Sequence, residues 1–141
     1  MTNTHTILNT VLASEHILYQ TLRNYHWNVE GREFLELHEF FETLYTKELE
    51  LVDEIAERMR ALDLRPDSTF KLYIEKSLLA EEEQTSLESR KMLENLVSSY
   101  SLLVEKYTSF LDGLDPVTEG FIAEIIEGHQ KNLWMIKSLL K

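Results

Sequence analysis

The chain has 141 residues, 43% hydrophobic and 28% charged, with four Gly, two Pro and no Cys. That length supports one domain with its own core, and the composition excludes a disordered or collagen-like chain. No disulfide framework or thiolate metal site is possible, and a formal net charge of −11 repels phosphate backbones and anionic lipid while attracting cations.

So few Gly and Pro are too few for a sandwich or barrel that turns every ten residues or so. Met1 to Thr6 is short and polar, without the charged-then-apolar build of a secretory signal. No apolar run approaches the length of a membrane span. With no Cys, a cytoplasmic location is expected.

From about Thr6 to Asn28, Leu8, Val11, Leu18, Leu22 and Tyr25 fall at helical spacing, and Gly31 interrupts the pattern. A second, longer helix follows, with Phe34, Leu37, Phe41, Leu44, Leu51, Ile55, Met59 and Leu62 on its apolar seam. The run Leu64-Arg65-Pro66-Asp67 ends it, because the residue before Pro avoids helical geometry. Asp67 or Ser68 is the expected cap of a short helix carrying Phe70, Leu72, Tyr73 and Ile74.

A third long helix is predicted from about Glu81 to Leu111, with Leu87, Met92, Leu96, Tyr100, Leu103 and Tyr107 inward and Gly113 as its stop. Asp115-Pro116 opens a fourth, with Asp as N-cap and Pro at the first helical position. The predicted fold class is all-α, a single domain over residues 1–141. It is a ferritin-like four-helix bundle of two hairpins, with a short crossover helix between the second and third long helices. Cytokine-like and purely structural bundles share much of this plan.

Three histidines sit on helical faces suited to burial: His26, His38 and His129. A lone His there is more often a hydrogen-bonded core residue than a ligand, so the case for ligands rests on combination. Asp53 and Glu57 are four apart and project from one face of the second helix. His38 shares that broad face but lies roughly 22 Å away along the axis, whereas metal–ligand bonds are only about 2 Å long. One chain cannot close such a site. Two copies can, if their second helices pack antiparallel about a two-fold axis. Imidazole and carboxylate together suit Fe(II), Zn(II) or Mn(II).

The run Asn24-Tyr25-His26-Trp27-Asn28-Val29-Glu30-Gly31, followed by Phe34, Leu37-His38, Phe41, Tyr45 and Asp53-Glu54-Ile55-Ala56-Glu57-Arg58, closely resembles the Dps family of mini-ferritins. Asp115, Thr118, Trp134 and Met135 are similar to the family's last helix. The resemblance implies a twelve-subunit shell that oxidises Fe2+, preferentially with hydrogen peroxide rather than dioxygen, and stores the ferric product. It implies His26 and His38 as iron ligands from one subunit and Asp53 and Glu57 from its two-fold mate. Glu42 falls where relatives often have a further acidic group. Trp27 would lie near the site, although an aromatic at the subunit contact explains it equally well. Relatives admit iron through acidic three-fold pores, which here would use Asp115, Glu119 and Glu124, with Gly120 where Asp is common. An N-cap and a solvated helix face are the plainer reading of those three acids.

Many members of that family bind DNA with a Lys/Arg-rich tail, and Met1-Thr2-Asn3-Thr4-His5-Thr6 has none, so direct DNA binding is not expected. Glu15 and Glu48 interrupt two apolar seams. Since burying an unpaired carboxylate is costly, a solvated edge is expected for both, with a subunit contact, a basic partner or an extra cation as alternatives. His129 is assigned to the core or a contact, and His5 and His16 to the surface.

An intra-bundle di-iron enzyme needs Glu-x-x-His pairs. Three residues before the five histidines stand Thr2, Ala13, Arg23, Leu35 and Ile126, so that reading fails. A non-catalytic bundle, structural or holding zinc or manganese on the same ligands, is the remaining alternative.

Overall fold

A computed structural model describes residues 2–141; Met1, the first residue of the polar terminus, lies outside the described residues. Five helices follow in order: α1 (Thr2–Asn28), α2 (Phe34–Ala61), α3 (Phe70–Lys76), α4 (Ser89–Phe110) and α5 (Pro116–Leu139). No strand occurs among the described residues, and no helix is long and apolar enough to cross a membrane. The chain forms two compact units, residues 1–89 and 90–141.

In the first unit α1 and α2 form an antiparallel hairpin. Gly31 turns the chain with φ of 113°, a conformation that side chains with a Cβ rarely adopt. The Phe34 N–H donates back to the Gly31 carbonyl at 3.1 Å. Leu8, Val11, Leu18, Leu22 and Tyr25 on α1 are all buried, as are Leu37, Phe41, Leu44, Ile55 and Met59 on α2. Helix α1 starts at Thr2, a turn earlier than its apolar spacing indicates.

Helix α2 ends before its proline is reached. Leu64 N–H donates to Met59 O at 2.9 Å and Asp63 N–H to Arg60 O at 3.0 Å, with Asp63 left-handed at φ 62°. This is a Schellman stop with Asp in the place usually held by Gly.

The cap of α3 is Thr69, not Asp67 or Ser68: the Thr69 hydroxyl accepts from Leu72 N–H at 3.2 Å. Asp67 is held elsewhere, its N–H donating to Asn9 Oδ1 at 2.9 Å and its carboxylate pairing with Lys76 at 3.4 Å. His16 is half-buried rather than a surface residue, its ring stacked on Tyr73 at 3.9 Å between centroids. His5 reaches the Arg65 carbonyl at 3.0 Å.

The third long helix starts at Ser89, not near Glu81. Residues 78–84 are instead hydrogen-bonded to α1: Leu78 N–H donates to Ser14 Oγ at 2.9 Å and Asn24 to the Gln84 carbonyl at 3.1 Å. Tyr25 O–H donates to the Glu82 carboxylate at 3.1 Å. Three adjacent glutamates, Glu81 to Glu83, have little to gain from a helix that would remove those partners.

In the second unit Met92, Leu96, Tyr100, Leu103 and Tyr107 of α4 are buried, with Ile122, Ile125 and Ile136 of α5. Leu87, Leu111, Phe121, Leu133 and Leu140 reach only partial burial. Gly113, at φ 92°, turns the chain after α4. Arg90 donates to the Leu140 carbonyl at 3.5 Å, so α5 runs back beside α4. His129 is a core residue, its ring 5.1 Å from that of Tyr100 and 6.1 Å from that of Tyr107.

Asp115 caps α5 as its sequence indicates. One carboxylate oxygen accepts from Val117 N–H at 3.1 Å and Thr118 N–H at 3.0 Å, and the other accepts from the Thr118 hydroxyl at 2.6 Å. Asp115→Ala is expected to lower unfolding free energy by about 1–2 kcal/mol, read as a lower urea midpoint at an unchanged slope. An unaltered midpoint would remove the capping role.

Candidate metal centre

The α1–α2 hairpin brings the last turn of α1 against the second turn of α2, and so His26 against His38. His26 Nδ1 lies 2.7 Å from the His38 carbonyl, and His38 Nδ1 lies 2.7 Å from the His26 carbonyl. A carbonyl oxygen only accepts, so each Nδ1 carries a hydrogen and donates it. In the neutral imidazoles both Nε2 atoms then present lone pairs, the form that binds a metal. The two rings stack 3.8 Å apart with 14° between their planes.

Glu42 stands one turn beyond His38, its Oε1 3.9 Å from His26 Nε2. Donor atoms of His26, His38 and Glu42 all lie within 4.8 Å of one another. Ligands about 2 Å from a shared ion are at most about 4 Å apart, and the exposed Glu42 side chain can close the difference. Two imidazoles and one carboxylate with coordination positions left open is a donor set suited to Fe(II).

Of the sequence-predicted ligands, the structure thus unites His26, His38 and Glu42. Asp53 and Glu57 are exposed further along α2, and Asp53 lies eleven residues beyond Glu42, about 16 Å of helix. Trp27 is 56% exposed, with the Arg23 guanidinium 4.7 Å above its ring. Glu119 and Glu124 are exposed on α5, while Asp115 is engaged as the cap.

Two ring contacts at the site were not assigned from sequence. Phe34, expected on the apolar seam, is 40% exposed and stacks on His38 at 4.9 Å and 24°. Tyr45 meets His26 edge-on at 5.2 Å. The signal was present in the spacing, since Phe34 is four residues before His38 and Tyr45 seven after, all on one helical face.

Glu15 and Glu48 correct the expectation of a solvated edge: they are 0% and 3% exposed. The antiparallel register sets them opposite one another, and one carboxyl hydrogen-bonds to the other. Burial pushes the Glu48 carboxyl well above its ordinary value of 4.5, and the charge of Glu15 and the bond to it act in the same direction. The Glu48 Oε2 is buried with no hydrogen-bond partner among the described residues.

Below pH 4.5, Glu48 is protonated in both folded and unfolded chains. As pH rises past 4.5 the unfolded chain ionises it, the folded chain resists, and stability falls until the folded group ionises as well. Glu48→Gln, which cannot ionise, is therefore expected to melt above the wild type at pH 7, with the gap closing towards pH 4. A gap constant across that range would show that ionisation is not the source of the penalty.

The chain matches the ferritin family model, described as Ferritin-like domain, over residues 6–141. It is 31% identical over 138 residues to DNA protection during starvation protein 2 of Bacillus anthracis, covering 95% of this chain and 94% of that one. The Dps crystal structure from Staphylococcus aureus superposes with a TM-score of 0.90 at 30% identity, covering 95% of this chain and 92% of that chain. A Dps structure from Vibrio cholerae O1, described as a member of a broad superfamily of ferritin-like diiron-carboxylate proteins, gives 0.89 at 32% identity, covering 99% and 92%. All-α and ferritin-like is thus the class to which the five helices conform.

Proposed function

Since the chain belongs to the ferritin-like family, and within it to the Dps group, we propose that it oxidises Fe2+ at a site shared by two copies and stores the ferric product in a shell. The observation that carries this reading is the imidazole pair. Two reciprocal N–H···O=C bonds hold both Nε2 lone pairs ready beside Glu42. Iron is the substrate of this reaction.

Three donors from one chain leave an ion short of ligands. Asp53 and Glu57, four apart and exposed on α2, supply the remainder from a two-fold mate whose α2 runs antiparallel. Two Fe2+ give two electrons to one hydrogen peroxide, which takes up two protons and leaves as two waters. No hydroxyl radical is released by that stoichiometry. Asp115, Glu119 and Glu124 then serve as the acidic entry for the cation in a twelve-subunit shell, and Trp27 lies at the subunit contact near the site.

The second reading, an assembly that holds zinc or manganese without turnover, uses the same donors. Ferrous oxidation separates the two. Metal-free protein is expected to run near 200 kDa by light scattering, about twelve copies of a 16.6 kDa chain. It should consume Fe2+ with peroxide faster than buffer, and the His26→Ala/His38→Ala variant should lose at least about 100-fold of that rate. A protein rate equal to the buffer rate leaves only the metal-holding or purely structural reading, and a 16.6 kDa monomer would remove the shared site.

Each chain carries a charge of −11, so the shell repels a phosphate backbone and has no counterion-release gain to offset that. Plasmid is accordingly expected to migrate unshifted with metal-free protein at neutral pH and physiological salt; a retarded band would overturn this part of the proposal.

A further inference from the structure

We infer that Phe34 is a positioning residue for metal capture, acting through His38. The torsion that sets an imidazole's ring plane has a broad, shallow preference, so a histidine ligand is aimed only as well as its neighbours hold it. His26 has two ring neighbours: His38 stacks on it at 3.8 Å and Tyr45 meets it in a T-shaped contact at 5.2 Å. His38 has His26 on one face. Its other face, towards the start of α2, is covered by the Phe34 ring at 4.9 Å and 24°.

Phe34, His38 and His26 stack in one column, and Tyr45 meets His26 at 76°. Three of them come from a single stripe of α2, and the fourth is inserted from α1. Phe34 closes the column at the end where α2 begins. Its place is set by the turn, since its N–H donates to Gly31 O at 3.1 Å. It then lies four residues, one helical turn, before His38. A side chain 40% exposed adds little to the core. An aromatic there, stacked face-on against a histidine, instead stops that ring from tilting away from the shared ion. Removing the Phe34 ring leaves His38 with its Nδ1–H bond to the His26 carbonyl and one open face. The Nε2 lone pair then samples more directions, and capture of an ion by His26, His38 and Glu42 weakens.

This role rests on the proposed metal site, and Co2+ titration of the metal-free assembly, followed by visible absorption, tests the two separately. Wild type is expected to bind, and His38→Ala is expected to lose binding. If His38→Ala binds as wild type does, the site and the Phe34 role both fall. Phe34→Leu, which keeps an apolar side chain without the ring, should weaken Co2+ binding about three- to tenfold and alter the band intensities that report coordination geometry, at an unchanged melting temperature. Phe34→Tyr should restore both affinity and spectrum. Wild-type affinity and spectrum in Phe34→Leu, with His38→Ala impaired, would overturn the positioning role while the site stands. Equal weakening in Phe34→Leu and Phe34→Tyr would overturn it too, because the ring would then not be the operative feature.

Discussion

Five residues join α1 to α2, and the brevity of that turn is the constraint on which the first unit depends. Val29 N–H donates to Tyr25 O at 2.9 Å, and Phe34 N–H closes onto Gly31 O at 3.1 Å. With the ends so tied, the register of the hairpin has no slack. His26 faces His38, Tyr19 meets Tyr45 at 6.0 Å, and Glu15 meets Glu48. A slip of one residue rotates a helical side chain by about 100° and would separate all three pairs at once. The chemistry of the hairpin and its packing are therefore set by the same few backbone bonds.

The two polar pairs on this hairpin follow opposite electrostatic logic. Each imidazole donates to a main-chain carbonyl of the other helix, and the His26 carbonyl, in the last turn of α1, is one of the helix-end groups that need a partner. Nothing is left costly there, and the free nitrogens face a carboxylate. The carboxyl pair is the reverse. Two acids in an apolar seam cannot both ionise cheaply, and one oxygen of Glu48 is buried without a hydrogen-bond partner among the described residues. The acids lie among the apolar side chains buried along α1 and α2, such as Leu8, Val11, Leu18, Leu44, Val52 and Ile55.

Exposed acids dominate the remaining surface, with 25 acidic against 14 basic residues in the whole chain. Such a surface draws cations towards the protein by its field alone. What distinguishes Glu42 from its many exposed neighbours is position: among the described residues it is the carboxylate that shares a 4.8 Å neighbourhood with both imidazoles. Net charge concentrates the ion, and the hairpin register decides where it can be held.

The long helices, their apolar faces, the Gly113 stop and the Asp115-Pro116 start are all written in local spacing, because the period of a helix and the capping of its ends involve residues a few positions apart. His26 and His38 stand out as histidines on helical faces, but their role as ligands, and Glu42 altogether, come from a run of residues resembling a known family. Other features depended on partners brought together by the fold. Residues 81–88 stay out of helix α4 because Asn24, on α1, binds the Gln84 carbonyl and Tyr25 binds Glu82. Asp67 does not cap α3 because Asn9 and Lys76 hold it. Glu15 and Glu48 read as solvated until the hairpin sets them facing each other inside it. Helical periodicity is a property of the chain's own backbone and can be counted along the sequence. Burial and the choice between competing hydrogen-bond partners belong to whatever lies opposite, which only the tertiary structure decides.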